Sequence, residues 1–168
     1  MGWGIQKRNN FNAIIGFSAQ TGSMIYPNFL ITDFPQEDNM AQIPASHQDI
    51  LEKRSFAHVA TVNDNGTPQV TPVWVEYDGQ HVLINSAKGR KKDRNLRANP
   101  EVALSIQDPD NPYRYVGVQG NIVEITDEGG YNHINKLSHK YTGQDYPKNP
   151  GEVRVIYKIE PTRVWTMG

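Results

Sequence analysis

Residues 56–86 read FAHVATVNDNGTPQVTPVWVEYDGQHVLINS, and the punctuation of this stretch decides the fold. Residues 56–62 are small and β-branched, Asn63-Asp64-Asn65-Gly66 is a turn signal, and residues 67–77 return as a long apolar run. Asp78-Gly79 makes a second tight turn before residues 80–86. Short runs rich in Val, Ile, Thr and aromatics, separated by Asn-Gly or Asp-Gly, form antiparallel hairpins, because those turn residues tolerate the positive φ that tight turns need. The stretch therefore predicts a three-stranded meander. Pro68 and Pro72 fall inside the middle run, and proline cannot donate to a ladder. Pro72 thus predicts an edge, a bulge or a kink where pairing is interrupted.

Directly downstream, residues 85–97 read NSAKGRKKDRNLR and hold the densest positive charge in the chain: Lys88, Arg90, Lys91, Lys92, Arg94 and Arg97, relieved by Asp93. An apolar strand feeds Gly89 and then a helical segment that Pro100 stops. Free backbone N–H groups and the helix dipole favour negative charge at such a start. Two readings stand for this stretch alone, an anion site and a solvated basic face.

Beyond it, residues 102–107 read as a strand, Asp108-Pro109-Asp110-Asn111-Pro112 as a loop, and residues 113–125 as a strand in which Gly117 and Gly120 mark close approach or curvature. Thr126 or Asp127 predicts the cap of a helix to about Tyr141, with Ile134, Leu137 and Tyr141 on one face and Gly143 past its end. Residues 152–159 and 162–166 are read as two strands joined through Glu160-Pro161. Upstream, Ser46 predicts the N-cap of a short helix carrying Ile50 and Leu51. The sum is mainly β (α+β): a six- to seven-stranded, strongly curved antiparallel barrel with two or three short helices. Residues 1–42, rich in Asn, Gly, Ser and Pro, read as an N-terminal extension, and residues 43–168 as the barrel domain.

Bulk properties narrow the function. A chain of 168 residues can bury a real core, and its net charge of −1 makes the basic stretch local rather than global. Cysteine is absent, which removes disulfides and thiol chemistry and fits a cytoplasmic setting. No apolar run is long enough to span a membrane, and the first residues lack the pattern of a secretory signal. The five histidines show no metal-ligand spacing; His133 and His139, six apart, do not share a helix face. No nucleophile elbow, Walker loop or dinucleotide fingerprint occurs. Trp74, Tyr77, Tyr113 and Tyr115 beside a basic helix would suit single-stranded nucleic acid, but strand aromatics in a net-negative chain argue against that partner. A chain with few groups able to do chemistry itself points to a borrowed cofactor, whose phosphate the basic stretch would hold.

Three pieces in this order carry a resemblance: the ATV…NG-PQVTPVW hairpin, the K-x-R-N-L-R-x-x-P helix start at residues 92–100, and DPDNPYRYV at 108–116. Together they resemble the pyridoxamine 5′-phosphate oxidase-like split β-barrel flavoproteins, in particular the deazaflavin (coenzyme F-420)-dependent oxidoreductases, over residues 44–167. The resemblance implies a homodimer with two interfacial cofactor sites and a small-molecule substrate. It places a cofactor phosphate against Arg90, Lys92 and Asn95 with Lys88 nearby. The ring would lie along Val70, Thr71, Pro72 and Val73, with Asn85, Ser86 and Ala87 facing the same pocket. Trp74, and Tyr113 or Arg114 from the other subunit, would wall the substrate cavity, while Lys91 and Asp93 would face water. The implied reaction is hydride transfer, with no catalytic acid assigned and no metal. Six cations exceed what one phosphate needs, which favours F-420 with its extra carboxylates over FMN, the alternative. The characteristic C-terminal substrate segment of true pyridoxamine phosphate oxidases is not apparent. A non-catalytic dimer that binds or stores a flavin or tetrapyrrole is the other class.

Overall fold

We describe residues 40–168 of a computed structural model of the chain. The expected extension, residues 1–42, lies outside the described residues except for its last three. There, the Ala41 N–H donates to the Pro161 carbonyl at 2.9 Å, and Ile43 next to it is buried in the core.

Six antiparallel strands close into a barrel: β1 (Phe56–Val62), β2 (Pro68–Tyr77), β3 (Val82–Ala87), β4 (Glu101–Gln107), β5 (Tyr115–Thr126) and β6 (Arg154–Met167), in the spatial order β1-β2-β3-β6-β5-β4. The meander of the sequence is β1–β2–β3. Period-two alternation sends one face of each strand inward. Ala57 and Val59 of β1, Val102, Leu104 and Ile106 of β4, and Val155, Tyr157 and Ile159 of β6 all point into one core. Strand β3 is buried on both faces, because α3 (Gly130–Thr142) covers its outer side: Asn85 Nδ2 donates to the Gly130 carbonyl at 2.9 Å. Gly130 allows that approach, since a Cβ there would sit 2.1 Å from the Arg154 carbonyl oxygen. Two shorter helices complete the fold, α1 (Gln48–Glu52), preceded by a 3-10 turn, and α2 (Lys91–Ala98).

Three expectations need correction and one is narrowed. The two C-terminal strands are one strand of 14 residues, so the barrel has six strands. Pro161 does not end β6. A bulge near Gln119/Gly120 absorbs it, and Gly120 lets the strands close, since a Cβ there would lie 2.4 Å from the Glu160 carbonyl oxygen. Second, of the edge, bulge or kink that Pro72 predicts, the structure has the edge: the β1–β2 register runs unbroken from Phe56↔Trp74 to Val62↔Pro68, and Pro72 has no strand partner on its β3 side. Third, α3 begins at Gly129 in the left-handed region (φ 67), not at a Thr126 or Asp127 cap. Thr126 Oγ1 instead accepts the Glu128 N–H at 3.1 Å, in the turn before the helix. Fourth, Ser46 caps no helix; its hydroxyl meets His47 Nδ1 at 2.9 Å.

Charge pairs close the barrel's end near α1. Buried Asp108 takes Lys53 Nζ at 2.9 Å and Arg114 Nη1 at 2.7 Å, and Arg114 also grips Asp49 at 2.6 Å. Burial of Asp108 opposes its charge, but the Asp110 N–H and the two cations outweigh this and hold its carboxyl at about 2. A carboxyl depressed in the folded state contributes stability above the unfolded value of about 4 and loses it as pH falls through the folded one. Wild-type protein should therefore lose stability between about pH 4 and pH 2. Asp108→Asn should unfold roughly 1–3 kcal/mol more easily at neutral pH, from charged hydrogen bonds lost, and show a flatter acid limb in urea or thermal melts.

Candidate functional site

The site forms where β2 leaves β3. Only Val75↔Ile84, Glu76↔Leu83 and Tyr77↔Val82 pair between them, so residues 68–74 are held by β1 alone. Two side chains of α3 tie β2, at the residue where it parts from β3, to the segment that leads into β1. Val75 N–H donates to the Tyr141 hydroxyl, which in turn donates to the Ser55 carbonyl, while Lys140 Nζ reaches the Leu51 and Val75 carbonyls. Backbone groups of alternate residues face opposite sides of a strand. Because Val75 faces the β1 side, Pro72 and Val70 turn their backbone groups to the open side. A proline there sacrifices no ladder bond, which is why it is tolerated.

A cavity of about 220 Å³ lies in the fork. One wall is aromatic: Trp74 stacks on Tyr141 at 5.2 Å between centroids, meets Tyr146 edge-on at 6.4 Å, and Phe56 tilts against Tyr141 at 5.5 Å. The opposite wall is cationic, with Arg90, Lys92 and Arg154. Of the residues expected to bind cofactor, Pro72, Val73, Asn85, Ser86, Arg90 and Lys92 line this cavity, and Trp74 joins them. Ser86 Oγ is buried and has no hydrogen-bond partner among the described residues. Val70, Thr71, Ala87 and Lys88 do not line it; Val70 stands on the open edge at 58% exposure, and Lys88 is exposed.

The basic stretch divides by partner. Asp93, expected in water, is buried and accepts the Gly89 N–H at 2.7 Å, the Tyr157 hydroxyl and Arg97 Nε at 2.9 Å. It is the anchor that ties α2 to the barrel interior. Arg97 is thereby paired, and Arg94 Nη1 folds back onto the Gly89 carbonyl. Asn95 turns away from the cavity: its amide serves Thr61 Oγ1 and Asn63 Oδ1 at 3.0 Å, bracing the β1–β2 hairpin. Arg90 and Lys92 are the members of the stretch that reach the cavity. Arg114 is committed to Asp49 and Asp108, and Tyr113 is exposed; neither lines the cavity of its own chain.

Residues that sequence reasoning missed complete the wall. Arg154, the first residue of β6, donates from Nε to Asn85 Oδ1 at 2.8 Å and lies 5.1 Å over the Tyr146 ring. Glu152 sits 2.9 Å from Arg90 Nη2 and 3.3 Å from Arg154 Nη1. Behind Asn85, its Nδ2 lies 3.2 Å from His133 Nδ1, and His133 Nε2 lies 3.3 Å from Glu76, off the line of a good hydrogen bond. His133 and then Lys136 hold the Glu76 carboxyl at about 2 against its burial. Burial and the neighbouring Arg90 and Arg154 push the Lys92 ammonium below the usual lysine value. Among the described residues Lys92 has no anionic partner. The signal available for Arg154 was a cation heading the apolar run Val155-Ile156-Tyr157.

Residues 43–168 match the family described as pyridoxamine 5′-phosphate oxidase. The chain belongs to that family. A solved structure named F-420 reductase is similar at 36% identity, covering 73% of this chain and 98% of its own, with a TM-score of 0.67. The family fold recurs in a conserved hypothetical protein from Mycobacterium tuberculosis (22% identity, 80% of this chain and 89% of that one, TM-score 0.61). It recurs also in a FAD-binding protein from Mesorhizobium loti (22% identity, 75% and 95%, TM-score 0.56). At these last two identities the likeness concerns the fold alone.

Lys92 gives this family member a stability test. Its folded value is depressed, so its charge costs stability at neutral pH, and removing the charge removes that cost. Lys92→Met should melt at or above the wild-type temperature, within about 1 kcal/mol, in a thermal scan. A marked loss would mean that the ammonium has a partner after all.

Proposed function

We propose that this chain is an oxidoreductase that uses a flavin-type cofactor, with the deazaflavin F-420 favoured and FMN the alternative, to reduce a small organic substrate. The observation that carries the reading is Lys92: a half-buried ammonium beside Arg90 and Arg154, with no counter-anion among the described residues. Like charges gathered in a partly buried wall are costly unless an anion completes them. Buried Ser86 Oγ fits the same ligand, as a donor without a partner. The preference for F-420 rests on the 36% identity to the F-420 reductase. Charge surplus no longer supports it, since Arg94 and Arg97 serve the helix itself.

When bound, such a cofactor supplies a hydride, which the substrate accepts together with a proton from water. Arg90, Lys92 and Arg154 would hold the acidic end, and Asn85 keeps the Arg154 guanidinium in place through the 2.8 Å bond. Pro72, Val73 and Trp74 give an apolar face that excludes water. The cavity, at about 220 Å³, is smaller than the roughly 300–1,000 Å³ typical of ligand sites. It would hold only part of the ligand, and we infer that a second copy, docking along the open β2 edge near exposed Phe56 and Val70, completes it.

Binding without turnover is the second reading, because among the described residues no carboxylic acid or histidine lines the cavity. Titration of the purified chain with F-420 and with FMN tests the site. Saturable binding, weakened at least about tenfold in Lys92→Ala through loss of a charge-assisted contact, is expected. If neither cofactor binds at low salt, the reading fails. Anaerobic oxidation of reduced F-420 with enones and quinones then separates enzyme from binder.

A further inference from the structure

Glu152 has no part in the reading above, yet it is placed where it must affect any anion. Its Oε1 lies between two of the cavity's cations, 2.9 Å from Arg90 and 3.3 Å from Arg154, and its Oε2 lies 3.4 Å from Asn149 Nδ2. Both Glu152 and Arg154 are largely shielded, with side chains 16% and 5% exposed, so water and salt screen their charges weakly. Burial raises the Glu152 carboxyl, but Asn149, Arg154 and Arg90 outweigh it and keep the group ionised at neutral pH.

The position is not a requirement of the barrel. Glu152 precedes β6, in a turn closed by its own N–H on the Asn149 carbonyl at 3.1 Å, and a carboxylate there could point to water without disturbing any ladder bond. Held where it is, it subtracts one charge from the wall. Arg90, Lys92 and Arg154 give three positive charges and Glu152 one negative, leaving two.

We propose that Glu152 is a specificity-determining residue that sets the net charge of the cavity at two positives, matching it to a ligand end that carries two negative charges. The inference rests on the cavity receiving the acidic end of a cofactor. A phosphate monoester meets the requirement, and so does a phosphodiester with a neighbouring carboxylate; FMN and F-420 are the two arms that tell these sources apart. Riboflavin, which has the ring of FMN without its phosphate, is the neutral control.

The experiment measures dissociation constants of riboflavin, FMN and F-420 for the full chain, Glu152→Gln and Glu152→Asp, at two salt concentrations. Gln keeps the size, can still accept from Arg90 and Arg154 through its amide oxygen, and removes the charge; Asp keeps the charge. A partly screened unit charge at this range is taken as about threefold in affinity per ligand charge. Glu152→Gln should therefore bind the acidic cofactor about tenfold more tightly at low salt and with a steeper salt dependence. Riboflavin affinity should not change, and Glu152→Asp should stay close to wild type. Unchanged or weaker binding of the acidic cofactor by Glu152→Gln overturns the proposal, as does an equal shift for riboflavin, which would signal a loop effect. If Glu152→Gln melts below wild type, Glu152→Ala carries the same expectation. Wild type that binds neither FMN nor F-420 overturns the cavity reading and this proposal with it, whereas wild-type binding with an unresponsive Glu152→Gln overturns this proposal alone.

Discussion

Three residue pairs hold β2 to β3, and the shortness of that seam governs what the molecule can do. A barrel closed by full-length pairing along every seam would have its inner volume filled by side chains, with no unpaired edge. Here β2 pairs along its whole first half with β1 and only through Val75, Glu76 and Tyr77 with β3. On its other side, at Val75, β2 is tied to Ser55 and Leu51 ahead of β1 through Tyr141 and Lys140 of α3. The aromatic wall follows from the same placement, since Tyr141 offers its hydroxyl to Val75 and its ring to Trp74. One helix thus anchors β2 beside β1 and contributes Ile134 to the lining of the opening.

The opposite side is organised by buried Asp93. It ties the Gly89 turn, the α2 helix and Tyr157 of β6 into one unit. A carboxylate in that position is stable only because each of its oxygens is hydrogen-bonded, and because the Gly89 N–H belongs to a helix start that welcomes negative charge. The basic helix is therefore a mixed object. Its acid and two of its arginines build the scaffold, and Arg90 and Lys92 project from it.

Much of this was legible in the sequence. Asn63–Gly66 and Asp78-Gly79 announced the hairpins through turn chemistry, and the inward residues of β1 and β4 alternate as the chain requires. What stayed hidden shares one cause, long separation in sequence. Asp93 looked solvated because its partner Tyr157 lies 64 residues away, and Asn95 looked like a ligand because Thr61 lies 34 residues away. Arg154 read as the edge of a strand, since nothing local places it against Asn85, 69 residues earlier. Pro161 misled differently. Proline usually ends a strand, but a bulge opposite Gly120 accommodates this one, and a bulge depends on a partner strand that the local pattern does not contain.

Arg154 and Tyr157 stand three residues apart on β6, one against the cavity and the other holding α2 from inside the barrel. The spacing of Lys92 and Arg154 is therefore indexed to the β6 hydrogen-bond ladder, while Arg90 stands in the turn before α2. A slip of one residue in that ladder would send Arg154 into the core and Val155 to the wall. It would also move Tyr157 away from Asp93, so the helix and the strand would lose their alignment together. The strand is thus the ruler for Lys92 and Arg154, whereas Arg90 and Glu152, which stand in turns, follow their loops.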